Sequence, residues 1–302
     1  MCGIVGLFLK DKSLEPKLGQ LLSDMLVTMT DRGPDSAGIA IYGGAADGKG
    51  KLTVQSANPA KDFDGLAEAL EGAIGVKPAV TVKSTHAVLE VPANKLAEAR
   101  AAIAALRPAI RVMGAGESVE IYKETGLPKD VVARFGVEAM SGSHGIGHTR
   151  MATESAVTTL GAHPFSTGAD QCLVHNGSLS NHNNLRRELK REGMTFETEN
   201  DSEVAAAYLT AEMAKGKDLG EALTGALDDL DGFFTFVVGT KSGFGVVRDP
   251  IACKPAVMAE TDQYVAFGSE YRALVGLPGI ETARVWEPEP ATVYFWDHEK
   301  AA

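Results

Sequence analysis

The second residue is a cysteine, and an apolar run follows it at once: Cys2-Gly3-Ile4-Val5-Gly6-Leu7-Phe8. Removal of Met1 from such a start leaves a thiol beside a free α-amine, with ordinary pKa values of about 8.5 and 7.7–8.0, so one residue can supply a nucleophile and its own general base. A small buried side chain opening a strand is the bland alternative, and position alone leaves both open. The stretch DRGPDSAGIA, Asp31 to Ala40, has the Gly-Pro, Asp and Ser of a helix-to-strand turn. A fixed Arg32 and the Gly33 backbone could equally orient a nearby terminal amine.

Polar residues are densest from His144 to His182, which hold five of the seven histidines. Their spacing speaks against a metal centre: there is no HExxH and no cysteine pair, and only His144 and His148 are four apart, on a strand-like segment. Arg150 closes that segment. A buried guanidinium there calls for a carboxylate ligand, which its fork matches in two places and without which burial is costly. In His175-Asn176-Gly177, Asn-Gly is a hairpin signal. An Asn amide and a Gly N–H can also both aim at a developing oxyanion. Asp201 precedes a helical stretch, where it could serve as N-cap or hold a substrate ammonium. Neither a GxGxxG, nor a GxxxxGK[ST], nor a GxSxG is present.

The elements that must carry these residues read as short β-branched runs between Gly, Pro, Asn and Asp. Helical periodicity is confined to residues 14–30, 66–72, 94–106, 129–135, 184–192, 202–214 and 219–230. Strands in series with helices in blocks predict an α+β architecture. Residues 75–143, poor in polar chemistry, are expected to be an insertion in one domain spanning 1–302 and a candidate docking surface. The 302 residues are 44% hydrophobic and 23% charged, with a net charge of −11 that disfavours nucleic acid and anionic membranes. Three scattered cysteines suit a reducing compartment, and no apolar stretch nears the roughly 20 residues of a membrane span, so a cytoplasmic location is expected.

Taken in order, CGIVG, RGPDS, GHTRMAT, AHPF, HNG, NDSE, DGFFTF, RDPIACKP and GSEYRAL resemble the class II glutamine amidotransferases, which are N-terminal nucleophile hydrolases. The resemblance runs from Cys2 to Leu274. It implies a four-layer αββα sandwich with two stacked antiparallel sheets. It also implies roles: Cys2 attacks the side-chain amide of L-glutamine, with Asn176 and Gly177 as the oxyanion hole. Arg150 grips the substrate α-carboxylate and Asp201 the α-ammonium, Thr153 and His163 line the pocket, and Arg32 and Gly33 position the terminal residue. An α-amino acid presents one group of each sign, so an Arg and an Asp as paired grips also make independent sense. Many members have an aromatic residue where this chain has Met151, and the compact members lack the insertion.

About 30 residues follow the last motif, too few for a synthase domain, so the acceptor chemistry is expected on another chain or to be absent. The tail and the extended motifs resemble the stand-alone subfamily of glutamate-synthase-like clusters, including the N-methylglutamate synthase A subunit. That resemblance implies a hetero-oligomer whose partners carry FMN and iron–sulfur, with no cofactor in this chain. Two rivals remain. One is an amidohydrolase for another amide, which the Arg150 and Asp201 pair disfavours. The other is a non-catalytic glutamine- or glutamate-binding subunit, in which a retained Met1 would block the α-amine.

Overall fold

Strand Gly3–Leu9 is buried along its whole length, which a seven-residue apolar run requires when both faces of its sheet are covered. In the computed structural model, which describes residues 2–44, 46–152 and 156–300, it is the fourth of seven strands. Their order is Arg284–Trp286, Val257–Glu260, Tyr264–Gly268, Gly3–Leu9, His144–Arg150, Ser36–Tyr42 and Val119–Thr125, every neighbouring pair antiparallel. Side chains alternate across the pleat. Val5, Leu7 and Leu9 meet Leu18, Leu22, Met25 and Leu26 of helix Leu18–Thr28. Ile4 and Phe8 face Val174, Val237, Phe244 and Val246 of a second sheet.

That second sheet is also antiparallel, in the order Val293–Asp297, Gly243–Arg248, Gly232–Gly239, Gln171–Leu179, Phe165–Gly168. Its far face, with Leu173, Phe234, Phe236 and Val238, packs on helices Asp201–Ala214 and Leu219–Asp229. Helix, sheet, sheet, helix is the αββα order expected from the motifs.

A third sheet, Ala79–Lys83, His86–Pro92, Lys49–Gln55, Arg111–Gly116, builds its own core with helices Leu66–Ile74 and Leu96–Leu106. This unit occupies 49–116, not the expected 75–143. Strand Val119–Thr125 pairs with Ser36–Tyr42 in the main sheet, and helix Pro128–Phe135 buries Val131, Val132 and Phe135 against the core of helix Leu18–Thr28. Poverty in catalytic residue types marked the segment in the sequence, but strand pairing sets the boundary. The unit is fastened by the Lys51–Glu120 ion pair at 2.7 Å and by Asp170, whose carboxylate accepts from the N–H groups of Glu117, Ser118 and Val119. Among the described residues no helix is long and apolar enough to cross a membrane.

Candidate active site

The central strand delivers Cys2 to the end of the sheet where the neighbouring strand finishes at Arg150, because Gly3 pairs with Thr149. Cys2 is half-buried, and its carbonyl accepts two hydrogen bonds, from Arg32 Nε at 3.0 Å and Asn176 Nδ2 at 3.0 Å. Those donors come from opposite sides. Arg32 ends a short helical turn after helix Leu18–Thr28, and Asn176 lies in the second sheet. The Cys2 thiol lies 3.8 Å from the Met151 carbonyl oxygen, beside the segment leaving Arg150.

Arg32 is itself held. Its Nη1 meets Glu270 at 2.6 Å, and Glu270 also binds Arg272 at 2.6 Å; hydrogen bonding to Arg32 and the nearby guanidinium groups hold the Glu270 carboxyl below its usual range. Gly33 lies flat on the sheet end, where a Cβ would come within 2.5 Å of the Arg150 nitrogen. Two residues on, Asp35 donates its N–H to the Arg150 carbonyl at 3.0 Å and accepts from the Ala152 N–H at 2.8 Å. Ser269 fixes the opposite edge of the strand by accepting from the Ile4 N–H at 2.9 Å. Glu270, Ser269 and Asp35 sit inside sequence motifs that gave them no role. Their partners are too distant in the chain for spacing to reveal.

Arg150, Gly177 and Asp201 line one cavity of about 580 Å³, together with Thr158, Gly161 and His182. The cavity adjoins Cys2 through Asn176, which bonds Cys2 and precedes Gly177. Arg150 thus borders one space with Asp201 and two further carboxylates, Glu197 and Glu199, so both signs of charge that a zwitterionic α-amino acid needs are present. Arg150 is buried and its Nη1 donates to the Ala156 carbonyl at 3.2 Å. Gly177 has φ of +151°, and a Cβ there would lie 2.0 Å from the Phe233 carbonyl oxygen, so glycine is required by close backbone approach. His182, another lining residue the sequence left without a role, is oriented by its Nδ1, 2.6 Å from the Leu179 carbonyl.

Two expected placements differ. Asp201 is not the N-cap: Asn200 is, its side chain accepting from the Ser202 N–H. Asp201 occupies the first helical position, where the unpaired N–H groups favour an anion, and its Oδ2 accepts from the Leu179 N–H at 2.9 Å. His163 is buried and is not among the cavity's lining residues. Its ring stacks on His148 at 4.1 Å, and its Nε2 lies 2.9 Å from Ser202 Oγ. Thr153 falls outside the described residues.

Ser202 Oγ is also 2.9 Å from His175 Nδ1. A hydroxyl donates one hydrogen and accepts others, so Ser202 can bond one nitrogen of each neutral ring, while His163 Nδ1 and His175 Nε2 stay buried without a hydrogen-bond partner among the described residues. Burial keeps these imidazoles uncharged, pushing His148 down to about 3, His175 to about 4 and His163 well below its ordinary value. Elsewhere in the core His144 falls to about 3 and His86 to about 4 for the same reason. Among the described residues no group of three or more His, Cys, Asp or Glu could hold a metal ion.

Five neutral histidines give an expected acid sensitivity. Unfolded histidines protonate near 6.5 and the folded ones only at lower pH, so the unfolded state takes up protons first. Their contribution is complete above about pH 6.5 and is lost as pH falls toward 4, on the order of 1 kcal/mol per pH unit for each ring. Calorimetric melting between pH 7.5 and 4.5 checks this. A melting temperature flat across that window would show that the rings do not stay neutral.

A glutamine amidotransferase domain matches residues 148–276. Over its full length the chain is 80% identical to the glutamine amidotransferase-like protein GlxB of Rhizobium meliloti (strain 1021), covering all of both proteins. It is 33% identical to a putative glutamine amidotransferase of Methanothermobacter thermautotrophicus, covering 98% of this chain and 100% of that one. Among solved structures, glutamine phosphoribosylpyrophosphate amidotransferase from B. subtilis superposes with a TM-score of 0.63 at 18% identity, over 99% of this chain and 48% of that one. This last likeness concerns the fold.

Proposed function

Because the chain belongs to the class II glutamine amidotransferases, enzymes that hydrolyse glutamine and transfer its nitrogen, we propose that it is a glutaminase subunit that works through a Cys2 thioester and passes ammonia to a partner chain. The observation that carries the assignment of residues is the shared cavity of Arg150, Gly177 and Asp201 beside the Asn176 contact to Cys2.

With Met1 removed, the Cys2 α-amine takes the thiol proton as sulfur attacks the side-chain carboxamide carbon. The carbonyl oxygen becomes an oxyanion. Asn176 Nδ2 has given one hydrogen to the Cys2 carbonyl and has a second for the oxyanion, which the Gly177 N–H also faces. The new ammonium returns its proton to the leaving nitrogen, the C–N bond breaks, and ammonia departs from a glutamyl thioester. Water then adds to the thioester and glutamate leaves. Arg150 holds the substrate α-carboxylate and Asp201 its α-ammonium throughout, so binding energy fixes the amide against sulfur. His163 acts from behind the cavity, through Ser202, on the start of the Asp201 helix.

The acceptor belongs, in this proposal, to glutamate-synthase-like partner subunits in a hetero-oligomer, with FMN and iron–sulfur in those partners; an N-methylglutamate synthase is the specific candidate. Intact mass before and after 6-diazo-5-oxonorleucine tests the glutaminase. Loss of Met1 and a single adduct, absent from Cys2→Ala, is expected. A chain that keeps Met1 and takes no label would instead be a non-catalytic glutamine-binding subunit.

A further inference from the structure

Lys123 is one of the most deeply placed charges in the molecule, 5% exposed, and no motif contains it. It projects from strand Val119–Thr125 into the underside of the segment that follows Arg150. There its Nζ donates to three backbone carbonyls, Ala162 at 2.8 Å, Pro164 at 3.1 Å and Leu160 at 3.3 Å, and sits 4.6 Å from the centre of the Phe165 ring. An ammonium has three hydrogens, and here each finds a carbonyl of one short segment. The strand between Lys123 and the segment makes room for this. At Gly38 a Cβ would lie 2.0 Å from the His163 carbonyl oxygen and 2.6 Å from Lys123 Cβ.

The clasped segment touches both ends of the proposed substrate site. Leu160 and Gly161 line the cavity, and a Cβ on Gly161 would stand 3.4 Å from Arg150 Nη1, so this backbone is the floor under the guanidinium. His163 reaches the other way, to Ser202 Oγ at 2.9 Å, next to Asp201 in the first turn of its helix. Hydrophobic packing alone would not hold a loop of buried carbonyls in register. A buried cation does so through charge-assisted bonds, and loses most when its partners move.

We propose that Lys123 is a positioning residue for glutamine, clasping residues 160–164 so that Arg150 and Asp201 are held at the separation of the substrate's carboxylate and ammonium. This rests on the glutaminase assignment above. The role differs from general stabilisation in one respect: loosening the clasp spoils the spacing of the two grips, which weakens binding, while Cys2, Asn176 and Gly177 lie on other elements and keep their geometry.

The test is glutamine affinity by titration calorimetry in a Cys2→Ala background, with and without Lys123→Met, which keeps the stem and removes all three donors. A folded double variant is expected to bind about tenfold or more weakly, the loss typical of charged hydrogen bonds. In the chain with Cys2 intact, KM should rise by the same factor and kcat should stay within about threefold. Lys123→Gln, with two donors on a shorter arm, serves if the methionine variant does not fold, and is expected to weaken binding by roughly threefold. Unchanged affinity in either folded variant, or a loss confined to kcat, overturns the clasp. Failure of Cys2→Ala itself to bind glutamine overturns the assignment beneath it, and the clasp with it.

Discussion

Replacing Cys2 by alanine is expected to lower glutamine turnover on the order of 10⁴-fold or more, the loss seen when a nucleophile is removed from an otherwise intact site. Folding should be affected little, for a reason visible in the contacts. What holds residue 2 is its backbone carbonyl, bonded by Arg32 and Asn176, and alanine keeps it. The thiol makes a weak 3.8 Å approach to the Met151 carbonyl, so a stability change within about 0.5 kcal/mol is expected. Glutamine affinity should likewise be preserved, because Arg150 and Asp201 are untouched. Steady-state ammonia release and calorimetric binding together check this. Turnover within tenfold of the parent would remove Cys2 from the chemistry.

Asp201→Asn has the second largest expected effect, a rise in KM for glutamine of roughly 10- to 100-fold, corresponding to one charge-assisted hydrogen bond. Asparagine is the informative replacement, since its amide oxygen can still accept from the Leu179 N–H that Asp201 Oδ2 holds at 2.9 Å. The backbone therefore stays in place while the charge is lost. Some stability goes as well, about 0.3–1 kcal/mol, because a first-turn anion is removed from a helix N-terminus. The effect on substrate is separable with 4-carbamoylbutanoate, a glutamine lacking the α-ammonium. The parent should prefer glutamine strongly, and Asp201→Asn should lose most of that preference. If both compounds suffer the same rise in KM, Asp201 supports the fold and not the ammonium.

The two predictions differ in how far the chain alone could have produced them. Cys2 is legible because a cysteine after an initiator methionine, before a strand, has chemistry of its own, and the nine ordered motifs give it a context. Most helices are legible too, within a residue or two, since apolar spacing is local: 219–230 against Leu219–Asp229, 202–214 against Asp201–Ala214. The long first helix is less so. Pro16 keeps Lys12–Lys17 in a 3₁₀ turn, and the α-helix is Leu18–Thr28.

Capping shows the limit at short range. Asn200 and Asp201 are both good caps by type, and only the backbone angles and the Ser202 N–H decide for Asn200. At long range the sequence is silent. Glu270 lies 238 positions from the Arg32 it fixes, Ser269 is 265 from Ile4, and Lys123 is about 40 from the carbonyls it clasps. Each of these contacts exists because antiparallel register brings particular rungs together, and register is a property of the closed sheet. The same cause puts the separate unit at 49–116 and not at the 75–143 expected of an insertion, since the pairing of Val119–Thr125 with Ser36–Tyr42 is set by where the chain returns, not by its composition.

By itself, then, the sequence determined the residue types that can act and the elements that carry them: an N-terminal thiol, an Asn-Gly, a strand-end arginine and a helix-start aspartate on an α+β chain. Which of them share a cavity, that His163 stands behind it, and that a buried lysine holds its floor were decided by tertiary structure. The physical reason is that periodicity and turn chemistry act over a few residues. Convergence of Arg150, Gly177 and Asp201 needs two sheets stacked face to face, with their strand ends opening on one side.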